Sequence, residues 1–308
     1  MATPLTGRRA GLVMTLLLTC TGISRGAGGD QPQFTYRSKV AEVRINFSVV
    51  DQNNHGVATL QASDFAVVDK GFIVRNFQSF TRSDWTKLEI GILVDASESV
   101  RPRFHQEIAD VVELVSQSGG VPEENLSIFS FHDSRPALVC AGDCRTGHGA
   151  DRLPPAGAGG LTPLFDTVVF ASDFLSRHAD SGTEKVLMVL SDGDDTISRN
   201  GLADAVAAAL TGAVQIYSIG QSGSASSARG SAALESLAHA TGGRHIGPPQ
   251  AAPDALNAIL EGFRATYAVT YRLPSHAPGF HTIRILPTHN LNLQFCSRGG
   301  YYYPNRAR

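Results

Sequence analysis

Hydrophobic and polar positions change period twice along this chain. Between residues 40 and 80 they alternate: Val43, Ile45, Phe47 and Val49 are separated by Arg44, Asn46 and Ser48, which gives one buried and one wet face and predicts a strand. Apolar runs at 65–68 and 72–77 flank Asp69-Lys70-Gly71, a turn sequence, and Gln52-Asn53-Asn54-His55-Gly56 reads as another turn. From Lys87 the pattern alternates between solid apolar runs and helical spacing. A buried strand at 88–94 precedes a helix with Phe104, Ile108, Val111, Val112 and Val115 on one face, and Pro102 stands near its start. A strand at 126–131 follows, with 137–140 returning beside it as a hairpin, and then a Gly/Pro-rich loop at 145–160. Leu164, Phe165, Val168, Val169 and Leu175 form the stripe of the next helix, and 186–190 is the most apolar run beyond the N-terminal segment and reads as a central strand. A helix at 202–210, a strand at 214–219, and helices at 232–240 and 254–263 complete the series. After Tyr267 the period returns to two, through Tyr267, Val269, Tyr271 and Leu273, then Ile283 and Ile285, then Leu291, Leu293 and Phe295, ending at Tyr301-Tyr302-Tyr303.

Strands alternating with helices imply an α/β fold, a doubly wound and mostly parallel sheet with helices on both faces. The flanking β segments are each marginal alone, and domain termini tend to lie close together, so the two flanks are expected to pair as one β-sandwich that carries the α/β segment as an insertion. The organisation expected is a signal at 1–28, an N-terminal β segment at 35–85, the α/β domain at 86–265 and a C-terminal β segment at 266–308 that pairs with the first.

Arg8 and Arg9 precede an apolar stretch from about Ala10 to Leu18 and small residues around 24–28, the order of a secretory signal and too short to span a bilayer. The chain is therefore expected to be exported, secreted or held in the periplasm or envelope, with no transmembrane segment in the mature chain. Leu17-Leu18-Thr19-Cys20 resembles a lipoprotein cleavage box and leaves anchoring through Cys20 as a second route. With 308 residues and 42% hydrophobic, the chain can bury a sizeable core. Removing residues 1–26 takes away Arg8, Arg9 and Arg25 and leaves 23 basic against 28 acidic residues, a net charge of −5. That balance, without a dense Lys/Arg run, excludes nucleic acid as an expected partner. In an oxidising compartment Cys140 and Cys144 can close a short disulfide loop and leave Cys296 odd; the alternative is that all three are ordinary small residues, and spacing does not choose between them.

The candidate chemistry lies in three loops. Asp95-Ala96-Ser97-Glu98-Ser99 follows the first core strand, Thr162 stands at the head of a helix, and Asp192 follows the central strand. In an open α/β sheet all three would meet in the crevice past the carboxyl ends of the strands. One or two carboxylates with hydroxyls make an oxygen-only ligand set, which suits a hard cation, Mg²⁺ before Zn²⁺. Each piece also has a structural reading. Thr162-Pro163 looks like an N-cap followed by proline at the first helical position, Ser99 could serve the helix after it, and Ser191-Asp192-Gly193 is good turn chemistry.

Together, Asp95-x-Ser97-x-Ser99, Gly160-Leu161-Thr162 and Ser191-Asp192-Gly193 resemble the metal-ion-dependent adhesion site of the von Willebrand factor A fold, over roughly 87–263. The flank VVDQNNHGVATLQASDFAVVDKGFIVRNFQSF and the closing tyrosine-rich strands are similar to secreted von Willebrand factor A-related proteins common in acidobacteria. The resemblance implies that Ser97 and Ser99 bind a Mg²⁺ or Mn²⁺ ion directly, that Asp95 and Asp192 act largely through water, and that Thr162 binds in one of two loop states. It implies a protein partner that offers an Asp or Glu carboxylate to the ion. It also implies that the last helix, 254–263, is the element that shifts in some relatives. Glu98 stands where relatives often have a small residue, and Asp194 and Asp195 crowd the third loop; as nearby carboxylates they would tighten the cation and repel an incoming acid.

Enzyme motifs are missing or misplaced. Gly22-Ile23-Ser24-Arg25-Gly26 fits G-x-S-x-G but has neither the strand nor the helix that motif requires, and no phosphate loop or H-E-x-x-H occurs. The chain therefore reads as a binding protein and not an enzyme. Two alternatives remain: a metal-assisted hydrolase using His132-Asp133, and a metal-independent scaffold.

Overall fold

The computed structural model describes residues 41–52, 56–83, 88–97, 106, 109–110, 122–132, 135–144, 161–180, 183–220, 227–247 and 266–303. Strand β5 (Leu88–Asp95) is buried along its whole length, as its unbroken apolar run requires. It pairs in parallel with β6 (Leu126–His132) on one side and with β8 (Glu184–Ser191) on the other. β9 (Val214–Gly220) and the short β10 (His245–Ile246) extend the sheet beyond β8 in parallel, and β7 (Arg135–Ala141) closes the far edge as the antiparallel return of β6. The order β10-β9-β8-β5-β6-β7 places the two site-bearing strands, β5 and β8, side by side at its centre.

Among the described residues, helices α1 (Leu164–His178), α2 (Leu202–Gly212) and α3 (Ala228–Thr241) bury their stripes in one cluster with Leu93, Phe129, Leu187, Val189 and Ile216. The opposite face carries a second cluster that includes Ile90, Ile92, Val94, Ile128, Met188 and Leu190. Most of the helix expected after Pro102, and all of the helix expected at 254–263, lie outside the described residues; Gln106, Ala109 and Asp110 are helical. The sheet and its alternation with helices agree with the α/β expectation; α1, α2 and α3 all pack on one face of it.

Strands from before and after this unit pair with each other. β1 (Glu42–Val50) lies antiparallel between β11 (Thr266–Arg272) and β13 (Gln294–Ser297), and β4 (Ser79–Ser83) flanks β11. In a second sheet β12 (Gly279–Pro287) lies between β2 (Phe65–Asp69) and β14 (Gly300–Tyr303), with β3 (Phe72–Val74) at the edge. The inward residues of both sheets share one core, including Ile45, Phe47, Phe65, Val67, Tyr267, Val269 and Ile283, as two stacked sheets do. Two strand readings need correction. The run at 72–77 pairs only as far as Val74, with Phe72 and Ile73 exposed, and the last alternation starts at Gln294, leaving Leu291 79% exposed on a turn. In both cases the apolar spacing continues past the point where a partner strand supplies hydrogen bonds.

The β sheets meet the end of α3 at backbone distance. Gly242 has φ +87°, and a Cβ there would lie 2.1 Å from Arg298 N, while Gly299 N donates to Ala240 O at 3.0 Å. Only glycine combines that dihedral with that approach.

Candidate metal centre

Asp95 ends β5 with its side chain fully buried, and two local donors hold it. Ser97 N donates to Oδ1 at 2.9 Å, and Ser191 Oγ, at the end of the neighbouring strand β8, donates to Oδ2 at 2.6 Å. Ser191 Oγ also accepts from Gly193 N at 3.0 Å, so one hydroxyl joins the first loop to the third. Asp192 is fully buried as well. Its Oδ1 accepts from Asp194 N at 3.0 Å, and its Oδ2 is buried without a hydrogen-bond partner.

Positive φ at Gly193, +84°, turns the loop, and a Cβ there would lie 2.2 Å from Gly230 O in the first turn of α3. The Ser191-Asp192-Gly193 turn chemistry is therefore present, and it sets Asp192 against the sheet edge instead of replacing its candidate role.

Thr162 is placed differently from its capping reading. Helix α1 begins at Leu164 with Pro163 as the flanking residue and no side-chain cap from Thr162, which is itself only 3% exposed. The orphan N–H groups of α1 are met from the third loop: Phe165 N donates to Asp195 Oδ1 at 3.2 Å and Asp166 N to Ser198 Oγ at 3.0 Å. Thr162 N donates to Thr196 Oγ1 at 2.7 Å, and Thr196 N donates back to Thr162 O at 2.9 Å. In return Asp166 accepts from Arg199 N and Asn200 N, and those bonds hold its carboxyl below the ordinary range against the cost of burial. The second and third loops are thus stitched together over 34 residues of separation.

Asp194 and Asp195 act as staples. Asp194 Oδ1 accepts from Ser227 Oγ, the N-cap of α3, and Asp195 Oδ1 accepts from Ser198 Oγ as well as from Phe165 N. Sequence reasoning did not single out Thr196, Ser198 or Ser227, because their partners lie in other loops; Ser191 was visible only as a turn residue. Ser99, Glu98, Gly160 and Asp133 lie outside the described residues, as does the side chain of His132.

Asp95 has no basic partner among the influences on its charge. Burial pushes its carboxyl up to about 6, the Asp192 charge adds to this, and the bonds from Ser191 and Ser97 oppose it. Two buried carboxylates at one sheet edge, one oxygen unpartnered, surrounded by hydroxyls and backbone, form a set that a divalent cation of the hard, oxygen-seeking class fits. Asp95, Ser97, Thr162 and Asp192 are the described residues that would hold it, and the ion would supply two positive charges with open coordination positions.

The raised value has a sign. The native state takes up the Asp95 proton earlier than the unfolded chain, so this group stabilises the metal-free protein as pH falls through about 6, and a cation must displace that proton. Mn²⁺ affinity is expected to fall by roughly tenfold between pH 7 and pH 5 and to level off above neutrality. Calorimetric titration at the two pH values checks this, and a flat profile would remove Asp95 from the ligand set.

Cys140 and Cys144 are joined by a disulfide, and Cys296 is free. With Asp143 the pair brings three ligand-type atoms within 4.8 Å, but the disulfide leaves no thiolate for a metal.

No family model matches the chain, and no curated protein matches it. Solved structures do. An aerotolerance-related membrane protein from Bacteroides fragilis NCTC 9343, carrying multiple mutations to serines, is 16% identical with a TM-score of 0.42, over 57% of this chain and 98% of that one. BatB, a conserved hypothetical protein from Bacteroides thetaiotaomicron, is 14% identical with a TM-score of 0.41 over 57% and 98%. Proximal thread matrix protein 1 from the mussel byssus, with a zinc-occupied MIDAS motif, is 13% identical with a TM-score of 0.43 over 59% and 48%. At such identities and scores the function of this chain rests on its own residues.

Proposed function

We propose that this chain is an exported von Willebrand factor A-type binding protein that engages a protein partner through a divalent cation, Mg²⁺ or Mn²⁺, held by Asp95, Ser97, Ser99, Thr162 and Asp192. The observation that carries the reading is the pair of fully buried carboxylates, Asp95 and Asp192, with Asp192 Oδ2 unpartnered. Two like charges buried together are costly, and one divalent ion neutralises them without excess. Mg²⁺ keeps several water-occupied positions, one of which an Asp or Glu carboxylate from a partner can take. The work is binding, in an adhesive or envelope setting, and not turnover. Export rests on the N-terminal signal pattern, and among the described residues no helix is long and apolar enough to cross a membrane.

The test is Mg²⁺ and Mn²⁺ calorimetry on the mature protein and on Asp95→Ala and Ser97→Ala, with thermal stability followed alongside. Saturable binding lost in both folded variants is the expected result. A folded wild type that binds neither ion would leave a metal-independent interaction module.

A further inference from the structure

At the opposite end of β8 from Asp192 lies a cavity of about 180 Å³ between the α/β sheet and the antiparallel sheets. Its charged and amide lining is Arg44, Asn46, Glu184, Lys185, Gln215 and Arg298. Three cations therefore face one carboxylate. Glu184 is already engaged, accepting a hydrogen bond from Asn46 Nδ2, and burial raises its pKa despite the charges of Arg44, Arg298 and Lys185. The two arginines are held differently. Arg44 Nε reaches Asn46 Oδ1 at 3.4 Å, Arg298 donates through one terminal nitrogen to Arg44 O at 2.9 Å, and the Arg298 Nε is buried with no hydrogen-bond partner. Desolvation pulls the Arg298 pKa down against the charges of Glu184 and Asp69, and its guanidinium lies over the Tyr301 ring, 5.6 Å from the centroid.

Other negative features nearby reduce this excess but leave the lining positive. Asp69 lies in the Arg298 field but not in the cavity lining, and its Oδ2 is occupied by Tyr271 and Tyr301 hydroxyls, each at 2.8 Å. The C-terminal ends of α2 and α3 border the space; Ala213 N meets Ala209 O and Leu210 O, Gly242 N meets Ala238 O and His239 O, and the two ends together carry only about one negative charge. A volume of this size holds a tetrahedral oxyanion with some of its water, since a water takes about 30 Å³ in the liquid. Arg298, with an unpartnered Nε–H, and Lys185 both line the space, and a guanidinium and an ammonium suit such an anion in charge.

We propose that this cavity is a binding site for a small, doubly charged oxyanion of the phosphate or sulfate class, with Lys185 and Arg298 as its principal ligands and the anion bridging the α/β sheet to the β13–β14 turn. The site is independent of the cation reading, lying at the other end of the central strand.

Inorganic phosphate titrated calorimetrically into the full mature chain, without divalent cations and at constant NaCl, tests it, with sulfate as the second probe. Saturable binding and a phosphate-dependent rise in Tm are expected. Lys185→Gln, on a half-buried residue, is expected to weaken phosphate by about tenfold, the worth of one charge-assisted hydrogen bond, and to leave the phosphate-free Tm unchanged. Arg298→Lys is expected to do the same through loss of the fork, and if that variant fails to fold, Lys185→Gln decides. Asp95→Ala should bind phosphate as the wild type does. Absence of saturable binding in the folded wild type, or equal affinity in Lys185→Gln, would overturn the site and identify the space as water-filled packing.

Discussion

Asp192→Asn is expected to abolish cation-induced stabilisation while leaving the metal-free protein at least as stable as the wild type. The two halves of this result have one cause. Asp192 is fully buried, its Oδ2 has no partner, and its charge raises the neighbouring Asp95 carboxyl, so in the metal-free protein it adds like-charge repulsion beside Asp95. The amide keeps an oxygen to accept from Asp194 N and removes that charge. With cation present the order reverses, because an ion that binds only the native state adds about 2.7 kcal/mol at a hundredfold excess over Kd, and the variant loses that increment. Thermal melts with and without Mn²⁺ read both halves. An equal Mn²⁺-induced rise in the two proteins would show that any bound ion sits elsewhere.

The other large effect is expected far from the metal loops. Asp69 ends β2 and is completely buried in the core between the antiparallel sheets. Its Oδ2 accepts from Tyr271 and Tyr301, its Oδ1 lies 3.4 Å from Nδ1 of the equally buried His281, and His281 Nε2 lies 2.7 Å from Ala277 O. Burial first, and then the bond to Asp69, push both tyrosine hydroxyls well above their ordinary pKa, so they remain neutral donors. Asp69→Ala leaves two buried hydroxyls, one of them the Tyr301 hydroxyl that also meets His281 Nδ1 at 3.1 Å, without their acceptor and removes a negative charge from the Arg298 field, and is expected to cost about 3–5 kcal/mol. Asp69→Asn, which keeps one acceptor oxygen, should recover part of that loss. Chemical denaturation measures it; a loss below about 1 kcal/mol in Asp69→Ala would mean that the network contributes little beyond shape.

How much was legible beforehand differs by level. The alternation at Val43 to Val49 and the solid runs at 88–94 and 186–190 identified strands to within two residues, because side-chain period follows directly from backbone geometry. The extent of weaker strands was not legible. Leu291 keeps the period but meets no neighbouring strand, and hydrogen-bond partners are set by distant segments.

The candidate site divides in the same way. Asp95, Ser97, Thr162 and Asp192 stand out in the sequence because oxygen side chains cluster after apolar strands, a local pattern. That Thr162 does not cap α1, that Asp195 and Ser198 do so instead, and that Ser191 ties Asp95 to the third loop follow from loops meeting across the sheet edge. By itself, then, the sequence determined the class of fold, the positions of its central strands and the oxygen chemistry at their ends. Only the tertiary structure decided which oxygens are already occupied and which is left over, because a buried donor or acceptor is satisfied by whatever the packing brings to it, and that is a property of contacts between segments far apart in the chain.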